Sequence, residues 1–218
     1  MCYNKDISIY TYIIGLVSSY LLLTNDKKNL KILGSFFIVV IQMQLVEYYL
    51  WSNNKCNSKN ITISNIGAFI TFIQPIVLYL AILYYNKNIT NENTKIIHIT
   101  MIVYIIALLL YSLNLFPIGC SVVTEVSSPY LQWGWFYKKY PYFITIMFPL
   151  TFIILMYFGL TKPYNLYLSL IIMLSFIISF MIYRKQRVFG SIWCWIAVFI
   201  PISLLIYDKI YDNFYDKT

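Results

Sequence analysis

The chain of 218 residues is 60% hydrophobic and only 11% charged, with a mean hydropathy of +0.69, a balance that excludes a soluble globular domain. Its net charge of +8 does not point to nucleic acid, because Lys and Arg fall in short polar gaps between apolar runs, where membrane topology places them. The expected partner is the lipid bilayer.

The opening MCYNKD lacks the basic region and small-residue cleavage site of a signal peptide. A first span is predicted over 7–23, at the short end of the ~17–25 residues that cross a bilayer. TNDKKN turns the chain into a second span, 30–51, which carries Gln42, Gln44 and Glu47. A polar gap containing Cys56 leads to a third span, 65–85, where Pro75 removes a backbone donor and frees a carbonyl close to Gln74. A fourth span, 96–116, stops at Pro117 and Gly119.

The longest connection, 117–141, contains WGWFYKKY, whose aromatic and basic makeup predicts a belt at headgroup level. Spans at 142–160, 165–183 and 188–207 follow; the last opens with GSIWCW and contains Pro201. In the tail, Tyr207, Tyr211 and Tyr215 repeat every fourth residue beside Asp208, Asp212 and Asp216. That spacing predicts an interfacial helical extension with tyrosines on one stripe and carboxylates on the next. The predicted fold class is all-α: one polytopic membrane domain over 1–218, a bundle of seven transmembrane helices.

Alternation puts the gap around Cys56, the loop with Cys120 and RKQR at the N-terminal end of the bundle. The other gaps and the tail fall at the opposite end. The 16 Lys and Arg divide equally between the ends, so the positive-inside rule does not orient the chain. Cys2, Cys56 and Cys120 all map to the N-terminal end, and Cys194 lies about two turns inside it at ~1.5 Å per residue. Under oxidising conditions a disulfide such as Cys56 to Cys120 is expected; under reducing conditions the four are thiols or soft metal ligands. They also fit as small apolar packing residues.

Glu47 stands out, because an acid in a span costs a few kcal/mol unless it faces protein or water. Gln44 and Trp51, at i−3 and i+4, share its face. Gln74, Asn65, Tyr111, Asn114, Ser191 and Cys194 fall at compatible depths, which predicts a polar cavity open to the N-terminal end. The same residues would also serve as interhelical hydrogen bonds. Several chemistries drop out. The last span has no Lys for a Schiff base, and the single histidine, His98, is across the membrane from every cysteine. No GxSxG, HExxH or phosphate-loop motif occurs.

Three blocks carry a resemblance: Met1-Cys2-Tyr3-Asn4, Gln44-x-x-Glu47-x-x-x-Trp51 and Trp193-Cys194-Trp195. Together the chain resembles a family of uncharacterised multi-pass membrane proteins of bacteria and large DNA viruses. That pattern usually has Gly where this chain has Tyr48, which bears on close helix packing there. The resemblance implies no reaction, but it raises Cys2, Gln44, Glu47, Trp51 and Cys194 as one constellation, with Cys2, Cys194 and Glu47 as metal-ligand candidates.

Three functions follow as expectations. One is a transporter- or channel-like protein whose cavity at Glu47 handles a proton, ion or small solute. Another is a structural or interaction protein, such as a viral membrane component. The third is a thiol- or metal-dependent intramembrane enzyme using Cys2 and Cys194.

Overall fold

The computed structural model describes residues 4–115, 118–125, 127, 129–136, 142–183, 185 and 188–215. Eight helices follow one another: α1 Lys5–Leu23, α2 Lys28–Ser52, α3 Ser58–Tyr85, α4 Asn91–Leu115, α5 Tyr142–Gly159, α6 Tyr164–Tyr183, α7 Phe189–Ala197 and α8 Ile200–Tyr215. Six stretches are long and apolar enough to cross a membrane, with α7 and α8 together counting as one, and α5 is a shorter apolar helix.

The distribution of side chains is that of a bundle solvated by lipid. In α1, Ser8, Thr11, Ser18 and Ser19 are buried while Tyr10, Ile13, Val17 and Tyr20 are exposed. Small hydroxyl residues let helices approach closely where hydrocarbon outside is as apolar as the core. The same logic leaves Phe69, Leu113 and Met181 facing outward.

Most helix bounds match the predicted spans to within a few residues. Helix α3 starts seven residues earlier, because the Asn57 side chain accepts from the Asn60 N–H and caps the first turn. The ring of Pro75 interrupts the backbone ladder within α3, and the Tyr104 hydroxyl donates to the Phe72 carbonyl in that turn (2.9 Å). The span predicted over 188–207 is present as Phe189–Ile210, with a local irregularity between α7 and α8. Pro201 has no N–H to offer the Ala197 carbonyl, and Val198 and Phe199 instead make three-residue turns onto Trp195 and Ile196.

The loop between α4 and α5 decides the architecture of the N-terminal end. Its aromatic segment is not the predicted headgroup belt: Trp133 and Trp135 are buried and stacked on each other at 4.8 Å. Tyr137–Tyr140, the rest of that motif, fall outside the described residues. Three devices draw the loop inward. A Cys56–Cys120 disulfide ties it to the start of α3, with Cα atoms 5.4 Å apart. The fully buried Asn60 amide donates to the Ser121 carbonyl (2.8 Å) and accepts from the Ser121 N–H (2.9 Å). The Tyr111 hydroxyl donates to the Trp135 carbonyl (2.7 Å). Gly67 makes the seat possible, since a Cβ there would stand 2.5 Å from the Trp135 ring.

At the other end the α1–α2, α3–α4 and α5–α6 turns meet. The Asn29 side chain donates to the Thr161 hydroxyl (2.7 Å), and the Asn86 side chain donates to the Gly159 carbonyl (2.9 Å). Asp208, on the carboxylate stripe of the predicted interfacial extension, is buried, pairing with Lys27 at 2.8 Å and accepting from the Tyr164 hydroxyl. A carboxylate this close to the helix core needs such partners.

Candidate functional site

The apolar run of α2 carries Glu47 into the bundle, and the fold buries it completely. Its Oε1 accepts from the Trp133 indole N–H (3.1 Å) and from the Ser191 hydroxyl (2.6 Å). One donor comes from the α4–α5 loop and the other from the first turn of α7, at the positive end of that helix. Cys194 lies one turn beyond Ser191 and is buried. Where the sequence predicts a cavity open to the N-terminal end, Trp133 covers the acid.

Gln44, a turn earlier in α2 and also fully buried, accepts from the Thr11 hydroxyl of α1 (3.0 Å). Gln74 comes from the turn bent by Pro75. It shares a cavity of about 30 Å³ with Cys194 and Trp193, and its amide nitrogen has no hydrogen-bond partner among the described residues. A second cavity of about 10 Å³ lies between Thr71, Trp133 and Cys194. Cys194 borders both.

Other predicted residues do not join. The buried Trp51 indole N–H has no partner among the described residues and so does not bond Glu47. Gln42 and Asn65 donate back to Ile38 and Ile61 of their own helices. Tyr48 is half-buried beside Tyr49, away from the Glu47 bonds. Cys2 and the Asn114 side chain fall outside the described residues. Two of the four cysteines are spent in the disulfide, and among the described residues no group of three or more His, Cys, Asp and Glu converges.

Trp133, Thr11, Asn60 and Ser121 are the residues that sequence reading passed over. Trp133 has the one usable signal, an indole N–H in a segment too polar to span and too aromatic to be plain loop. Comparison with family models, curated proteins and solved structures finds no match for this chain.

Proposed function

We propose that this integral membrane protein moves protons through the Glu47 site, in the manner of a carrier whose occluded state is the one described. The observation that carries the reading is a fully buried carboxylate within a span, held by donors from two elements far apart in sequence. Ionisable groups are costly inside a bilayer and mark proton and ion pathways. The adjoining cavities, about 10 and 30 Å³, are too small for an organic solute. In this reading Trp133 is the gate on the N-terminal side.

The test is the decay of a pH gradient across proteoliposomes. Wild type is expected to dissipate the gradient faster than empty vesicles, and Glu47→Gln to lose about a hundredfold or more of that flux, the scale for removing a group that transfers protons. Wild-type vesicles no leakier than empty ones would overturn the reading, as would full flux in a folded Glu47→Gln protein.

A second reading has its own observation: the disulfide and Asn60 anchor the loop so firmly that Glu47 serves as its latch. A structural membrane component of this kind, viral or cellular, predicts no flux and a lower unfolding temperature for Glu47→Gln. The disulfide also supports an orientation, with the N-terminal end in an oxidising compartment and α8 ending on the reducing side. A C-terminal epitope tag is then expected to bind antibody only after cells are permeabilised. Binding on intact cells would reverse the assignment.

A further inference from the structure

The end of the bundle opposite Glu47 holds a cavity of about 560 Å³, open to the surface. Its walls come from the three turns that meet there: Lys27 and Lys28 before and at the start of α2, Asn93 in the first turn of α4, and Lys162 just before α6. No Asp or Glu is among the described residues that line it. Lys27 is engaged by Asp208, whereas Lys28 and Lys162 form no ion pair among the described residues. Two lysines in the lining are thus without an ion-pair partner among the described residues.

The backbone adds to this. Helices α2, α4 and α6 all begin beside this cavity, and helix N-termini favour anions; that of α4 is capped by Thr90 and carries Glu92 in its first turn. Helix α2 starts without a capping side chain, in contrast to α1 and α3, which Asn4 and Asn57 cap. One wall is apolar, formed by Phe158 and Leu160. Lysines, amide donors and helix N-termini together recognise phosphate oxygens. An apolar wall at the level where spans end suits an acyl-glycerol stem.

We propose that this cavity is a binding site for the phosphate headgroup of an anionic phospholipid. Its volume falls in the range of small-ligand sites. On the orientation proposed above, the cavity also lies on the reducing side, in the leaflet where anionic lipid concentrates.

The test is native mass spectrometry of the full chain released from nanodiscs of phosphatidylcholine mixed with phosphatidylglycerol. Wild type is expected to retain one phosphatidylglycerol in preference to phosphatidylcholine. Each cavity lysine near the surface contributes about fivefold, so the double variant Lys28→Gln, Lys162→Gln is expected to lose about 30-fold in retention. Both lysines are exposed, and unchanged thermal unfolding in pure phosphatidylcholine checks that the variant is folded. Lys55→Gln with Lys59→Gln, at the opposite end, is expected to leave retention unchanged. No preference in wild type, or equal retention in the double variant, would overturn the proposal. Displacement of the lipid by excess inorganic phosphate, with phosphate itself bound in phosphatidylcholine nanodiscs, would overturn the lipid assignment in favour of a free-anion site.

Discussion

Trp135→Ala is expected to destabilise the protein by about 3–5 kcal/mol, the range for truncating a buried Trp. Trp135 has no exposed surface, stacks on Trp133, and fills the space over Gly67. Its removal leaves a cavity between the loop and α3, and loop and helix cannot close it, because the disulfide and Asn60 fix their separation. In detergent the unfolding temperature should fall by about 10 °C, given ~2–4 °C per kcal/mol for a chain this size. A fall below about 3 °C would mean that the loop is not seated on α3. The same substitution loosens Trp133 over Glu47, so in proteoliposomes it is expected to raise proton leak under the carrier reading and to leave it unchanged under the structural one.

Removing the disulfide is expected to cost up to about 4 kcal/mol, from the chain entropy of a closed loop of this length, the bonded cysteines being 64 residues apart. That figure is an upper bound, since α3 and α4 stay threaded through the membrane when the tertiary contacts open, so the freed chain gains less entropy than in water. Thermal unfolding of Cys56→Ser with Cys120→Ser against wild type measures it. Thiol counting establishes the bond itself. In a Cys2→Ser background, denatured protein should react at one thiol, Cys194, before reduction and at three after it. Three thiols without reduction would remove the staple and, with it, the argument for an oxidising N-terminal side.

The two ends of the bundle respond differently to these changes. Loop, disulfide and Glu47 form one interlocked unit, so damage at Trp135 or Cys120 should be felt at the carboxylate. The basic cavity shares no described side-chain contact with that unit. Lys28 and Lys162 can therefore be replaced without disturbing Glu47, which makes the two proposals separately testable.

Sequence alone determined the membrane class, the helix boundaries of α1, α2, α4, α5 and α6 to within a few residues, and the anomaly of Glu47. Each is a local property: an apolar run long enough to span, a polar gap, an acid where hydrocarbon belongs. The pairing of Cys56 with Cys120 stood among the readings because alternation brings those gaps to one end. Tertiary structure decided the rest. Glu47 finds its donors 86 and 144 residues away, and Lys27 finds Asp208 at a separation of 181. Helical periodicity says which face of a segment is buried, but not which neighbour it meets. WGW was legible as aromatic and amphipathic, yet its place inside the bundle depended on Gly67, Asn60 and Cys56 in another helix and its leading turn. Asp208 was legible as one of a stripe of carboxylates, and only the packing of α8 against the start of α2 and the first turn of α6 buried it and gave it Lys27 and Tyr164 as partners.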